Sequence, residues 1–163
     1  MAKEKTLNDL FLEVMKDMYH AEKQILRALP RMAKAAESKE LRGAFETHRD
    51  ETEVQVERLE QVFEIIGKPA RAKTCHAIQG IIEEGKEVMS DFAKTDALDA
   101  GLIAAAQAVE HYEISRYGTL RTWANQLGMK DAARLFEQTL EEEKKTDGLL
   151  TELAEAAANP KAA

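Results

Sequence analysis

Apolar residues recur at steps of three and four along almost the whole chain, the repeat of one face of an α-helix. Five segments carry it. The first spans about residues 6–36, through Leu7, Leu10, Phe11, Val14, Met18, Ile25, Leu29 and Met32. Pro30 falls inside it, removes one backbone donor and is expected to kink or loosen the helix. The second spans about 39–66, through Leu41, Phe45, Leu59, Val62, Phe63 and Ile66, with Ser38 placed as an N-cap and Gly67 and Pro69 as the stop. A shorter helix is predicted over 74–92, capped by Thr74 and carrying Ile78, Ile81, Ile82, Val88 and Met89 on one side. The fourth covers about 96–127 and the fifth about 129–158, parted by Gly128. The tail from Asn159 is expected to fray.

No alternating, strand-like pattern competes, so the chain is predicted to be all-α. Helices one and two share a tight turn, as do four and five, which gives two antiparallel hairpins. The connection between them, 67–95, is long enough to carry the chain across a bundle with the short helix lying along it. The expected architecture is a single domain over 1–163, a four-helix bundle with one long crossover.

The stripes themselves hold an anomaly. Glu22 interrupts Val14, Met18, Ile25 and Leu29 in the first helix. In the second, Phe45 is followed by His48, Glu51 or Thr52, and Gln55 before Leu59. Glu110 and Glu113 sit among Ala106, Val109, Tyr117 and Leu120, and Glu143 and Asp147 among Phe136, Leu140 and Leu150. Each long helix thus aims acids at the core. Glu22, Glu51, Glu113 and Glu143 all lie fourteen or fifteen positions from the nearer turn, at Glu37 or Gly128. At about 1.5 Å per residue the four helices deliver their acids to one level.

Buried like charges are costly unless something neutralises them. Bound cations do so, and carboxylates with imidazole on facing helices form two-metal sites inside bundles. Glu22, His48, Glu51, Glu110, Glu113, Glu143 and Asp147 are therefore the candidate ligands. Two iron ions are the expected occupants, with manganese and zinc as alternatives, since oxygen-rich sites choose metals by geometry and supply. His48 is the histidine on a core stripe; His20 and His111 are read as facing outward. Each acid taken singly has a structural reading, in a solvated face such as Glu142–Lys145 or in a salt-bridge network with Arg116. Agreement in depth across four helices favours metal. Tyr19 and Tyr117 fall near the same level.

Composition narrows the field. Apolar residues make up 44% and charged residues 33% of the 163, and the formal net charge is −7. This acidic balance argues against a nucleic-acid partner and suits attraction of cations. No run approaches the length of a membrane span, and the polar start lacks an apolar signal region. The single cysteine, Cys75, forbids an internal disulfide. A cytoplasmic location is expected, with a homodimer or larger homo-oligomer, into which the Ala104–Ala108 face would pack.

The runs Tyr19–Met32, His48–Glu60, Lys73–Gly80, Val109–Leu120 and Glu142–Leu150 resemble the YciE/YciF family of bacterial stress-response proteins, over nearly the whole chain. The resemblance implies a ferritin-like bundle with a two-metal site made from Glu22, His48 with Glu51, Glu110 or Glu113, and Glu143 with Asp147. Two departures from the wider ferritin-like pattern stand out. That pattern is Glu-x-x-His on two helices; here helix two reads His48-x-x-Glu51, and Thr146 stands three after Glu143 where a second histidine is expected. The expected function is a di-metal, di-iron protein that oxidises ferrous iron with oxygen or peroxide under stress. The alternatives are iron storage in a larger assembly and a non-enzymatic structural or interaction bundle.

Overall fold

The computed structural model describes residues 4–163. Five principal helices follow one another: α1 (Leu7–Ala35), α2 (Lys39–Ile65), α3 (His76–Asp91), α4 (Leu98–Gln126) and α5 (Lys130–Leu153). No strand occurs among the described residues.

Local chemistry sets the ends. The Thr6 backbone N–H donates to the Asp9 carboxylate at 2.8 Å, closing the first turn of α1. Ser38 Oγ accepts from the Leu41 N–H at 3.2 Å and opens α2. α3 begins one residue later than the predicted Thr74 cap: Cys75 takes that place, and its sulfur accepts from the Ile78 N–H at 3.4 Å. α2 and α5 are bounded by glycines with left-handed backbone, Gly67 at φ 64° and Gly128 at φ 76°, where a side chain would be strained. α1 continues through Pro30, which lies on its exposed side, so the residue sets no helix boundary. The tail read as fraying is helical. α5 passes through a π-turn, Ala154–Ala158, into α6 (Asn159–Ala162). Lys161 there pairs with Glu37 at 2.8 Å and Asp96 at 3.3 Å.

The four long helices form a ring in the order α1, α2, α5, α4, with α1 also against α4. The turn between α1 and α2 meets the start of α4: the buried Asp99 carboxylate accepts from the Glu37 and Ser38 backbone N–H groups, both at 2.8 Å. That contact fixes directions. α4 starts where α1 ends, so every neighbour in the ring is antiparallel. The crossover must then climb the length of the bundle, and α3 does so in the groove between α1 and α4. Its approach to α4 is close enough that a Cβ at Gly101 would stand 2.5 Å from Val88 Cγ1, so any larger residue at that crossing would have to push the Val88 side chain aside.

The core fills both halves of the bundle. Phe11 meets Phe136 edge-on at 6.0 Å between ring centroids, and Tyr117 tilts against Phe136 at 6.2 Å. At the same end Tyr19 packs edge-on against Phe63. Leu41, Phe45, Leu98, Leu102 and Ile103 fill the other end. Burial of such side chains is worth about 1.5–3 kcal/mol each. Trp123 is half-buried against this core.

Candidate metal centre

Between the two apolar halves lies a polar layer. Glu22 of α1, His48, Thr52 and Gln55 of α2, Glu110 and Glu113 of α4, and Glu143 of α5 are all buried. They lie on the same buried stripes as Met18 and Ile25 in α1, Phe45 and Leu59 in α2, Ala106 and Tyr117 in α4, and Leu140 and Leu150 in α5. Helical spacing explains the pairing within α4: residues three apart share a face, so Glu110 and Glu113 point inward together.

His48, Glu110, Glu113 and Glu143 each offer a ligand atom, and these four atoms lie within 4.8 Å of one another. His48 Nε2 stands 2.9 Å from a Glu110 oxygen. Glu22 joins the group through charge: it, Glu110 and Glu143 all raise the Glu113 carboxyl, and Glu143 in turn raises Glu22 and Glu110. Buried acids that raise one another in this way cannot all ionise, so the group requires protons or cations among them.

The surroundings hold the acids from outside. The Tyr117 hydroxyl donates to Glu22. The Gln55 amide donates to Glu143 and, at 3.0 Å, to Glu142. Thr52 Oγ donates to the His48 carbonyl at 2.7 Å, a bond along α2 itself. Glu142 belongs to a different arrangement, a two-pronged pair with Arg58 at 2.7 Å on each arm. Inside the layer donors run out. One oxygen each of Glu22, Glu110 and Glu143, both oxygens of Glu113 and both ring nitrogens of His48 are buried without an aligned hydrogen-bond partner among the described residues.

Electrostatics follow from this shortage. Burial, then the charge of Glu143, pushes the Glu22 carboxyl up to about 7. Burial, then Glu143, raises Glu110 well above the carboxylate range, with His48 opposing. Glu113 is raised well above it by burial and then by Glu143, Glu22 and Glu110. For His48, burial favours the neutral ring, yet the nearby Glu110 and Glu51 carboxylates outweigh it and raise its pKa well above the ordinary value. Burial raises the Tyr117 hydroxyl, aided by Glu22 and Glu113, so it stays a donor. The layer therefore holds protons in place of the positive charge it lacks.

Two of the seven residues picked from sequence stand apart. Glu51 is partly exposed, 3.7 Å from His48 Nδ1 on the ring's outer side, with Thr146 Oγ 3.4 Å away. Asp147 turns from the layer toward α4, where His111 Nε2 lies 3.1 Å and the Gln107 amide 3.3 Å from its Oδ1. Thr146, the next residue back, takes the buried position. Tyr19 donates to Glu60 at 2.8 Å, outside the group. The donor role of Gln55 is a feature that sequence spacing did not single out, although its place on a core stripe marked it as unusual.

The donor set fits divalent cations. One imidazole and four carboxylates are oxygen-rich and mixed, the chemistry that iron, manganese and zinc accept, and the unpartnered atoms are the ones a cation would use. Fold and layer together define a class: helical bundles with a crossover and a carboxylate–histidine cluster at mid-height. Within that class the chain belongs to the family described as Domain of unknown function (DUF892), which it matches over residues 6–163. It is 50% identical to Protein YciF of Escherichia coli K12 over 160 residues, 97% of this chain and 96% of the relative. The crystal structure of that stress protein superposes with a TM-score of 0.91 at 48% identity, covering 96% of this chain and 99% of the other. YcfI of Rhodopseudomonas palustris, whose description calls it a structural protein, gives 0.89 at 42% identity over 93% and 97%. A Xanthomonas campestris protein at 23% identity and 0.73 shares the fold. No described helix is long and apolar enough to cross a membrane.

Proposed function

We propose that this chain is a di-metal protein whose mid-bundle layer binds two iron ions and supports oxidation of ferrous iron by dioxygen or peroxide under stress. The observation that carries the reading is the set of unpartnered, fully buried atoms on Glu22, His48, Glu110, Glu113 and Glu143. An interior that strands so many ligand atoms is stable only with cations or excess protons. Ligands come from both hairpins. His48, Glu110, Glu113 and Glu143 would hold one ion, and Glu22, whose charge is felt by Glu113, would extend the set toward a second. Ferrous iron held by these residues would supply electrons to the oxidant. The chain's own part is to orient and to manage protons. Tyr117 fixes Glu22, Gln55 fixes Glu143, and Glu51 anchors the imidazole from its outer side. Protons that the acids share in the metal-free state leave as cations enter. The reading puts the protein in the cytoplasm as a homodimer or larger assembly.

A second reading has the layer as a structural network in a non-enzymatic bundle, and the description of the Rhodopseudomonas relative favours it. Anaerobic ferrous titration with metal analysis, followed by a pulse of oxygen or peroxide under an absorbance probe, decides between them. Two irons per chain and a fast ferric band are expected. No stoichiometric metal would leave the structural reading.

A further inference from the structure

An apolar cavity reaches this layer from one side only. It lies between α1, α3 and α4, walled by Ile25, Leu29, Ile81, Ile82, Ala106 and Val109, with His48 and Glu110 at its floor and Arg31 and Lys86 at its mouth. We propose that it is a seat and entry path that admits dioxygen and not peroxide, which reaches the layer from another side; the role in oxidation rests on the function proposed above.

Size comes first. The cavity offers about 40 Å³, and a single water-sized sphere needs about 10–15 Å³, so it takes a molecule of two or three heavy atoms. Polarity comes second. Its walls present aliphatic carbon until the floor, where the His48 ring and a Glu110 oxygen are buried and unpartnered. Hydrogen peroxide would have to strip its hydroxyls of water with nothing to replace the bonds along the way, and burying unpaired polar groups is costly. Dioxygen makes no such bonds and loses nothing. Third, α3 is built to leave the space open. Gly85 faces α4 without a side chain, and a Cβ there would already touch Ala105 Cβ at 3.6 Å. The crossover helix thereby roofs the cavity while its glycine keeps it from being filled.

The opposite face of His48 differs. Between α2 and α5 a wider opening of about 440 Å³ beside the same histidine carries Thr47, Glu51, Lys145 and Thr146 among apolar neighbours such as Ala44 and Leu149. Ions, water and peroxide find polar partners there. The layer is thus approached by a narrow apolar route from the α3 side and by a wider one, which carries charged and hydroxyl groups, from the α2–α5 side.

Xenon tests the cavity without any metal, because it seats in small dry apolar spaces. Crystals of the metal-free protein under xenon pressure are expected to show an atom flanked by Ile25, Ile82 and Val109. Ala106→Leu should remove it with helix content unchanged. If that variant fails to fold, Gly85→Ala, which meets only ordinary contact, should lower occupancy. In the iron-loaded protein the same variant should slow oxidation by dioxygen severalfold and leave oxidation by peroxide unchanged. An empty cavity in the wild-type protein, or equal slowing with both oxidants, overturns the proposal. Xenon seated there in a protein that binds no iron would overturn the metal reading instead and leave a gas-binding cavity without a redox role.

Discussion

Replacing Glu22 by glutamine is expected to stabilise the metal-free protein and to weaken the metal-bound one. The carboxyl is fully buried. One oxygen accepts from Tyr117 and the other has no donor. Its pKa rises from the ordinary 4.5 to about 7, by burial and then by Glu143. The unfolded chain ionises this group freely, while the folded chain resists. At about 1.4 kcal/mol per tenfold change in proton affinity, the resistance costs the fold about 3 kcal/mol above pH 7 and nothing below pH 4.5. Glutamine cannot ionise. Its oxygen still accepts from Tyr117, and its amide can donate to Glu113. The variant should therefore gain about 2–3 kcal/mol at pH 8, a rise in Tm of roughly 4–12 °C for a chain of this size, and less than about 1 kcal/mol at pH 5. Calorimetry on chelator-treated protein at the two pH values measures this directly. Saturating ferrous or manganous ion should reverse the order of the two melting points, because the variant has lost a charged ligand. A variant that melts below the wild type at pH 8 without metal would refute the reasoning, since Glu22 would then be a satisfied structural anion.

The metal-free wild-type protein should lose stability as pH climbs from about 4.5 past 7. Glu22, Glu110 and Glu113 all hold protons more tightly folded than unfolded, and so does His48 above its ordinary 6.5, so every proton removed in that window favours unfolding; thermal melts across pH should fall, and bound metal should flatten the slope. Glu143→Ala should abolish stoichiometric metal uptake, whereas Asp147→Ala, which breaks only the contacts to His111 and Gln107, should keep it; metal analysis after anaerobic loading separates them. Asp99→Ala strips the α1–α2 turn of the acceptor for two backbone N–H groups and should cost about 1–3 kcal/mol, read by denaturant titration.

The helices and their pairing were legible because the apolar period is long and unbroken and the turns carry Gly67 and Gly128. The acidic layer was legible for the same reason: Glu22, Glu110, Glu113 and Glu143 replace apolar residues on those stripes at one depth. The ambiguity lay where two spacings fit equally. After Glu143, steps of three and four lead to Thr146 or to Asp147, and both return to Leu150. Packing decides, because Gln107 and His111 on α4 hold the aspartate outside and leave the inner place to the smaller threonine. The Cys75 cap was hidden, since a thiol is an unusual acceptor for a helix N-terminus, and Thr74 beside it is the ordinary choice. The ordered tail was hidden too. Lys161 is tied by Glu37 and Asp96, partners more than sixty positions away that no local pattern connects to it.

The antiparallel ring has a consequence for the charge of the layer. A helix end carries partial charge that helps a nearby ion, but the help fades within a turn. Glu22 lies about four turns from either end of α1, and its counterparts lie at the same height. Neighbouring helices also point in opposite directions, so their dipoles cancel at that level. The backbone therefore does nothing to decide how many charges the layer carries. Among the described residues His48 is the counter-charge set against the layer, protons and arriving cations supply the rest, and the layer's state of charge is set by the solution outside rather than by the fold that encloses it.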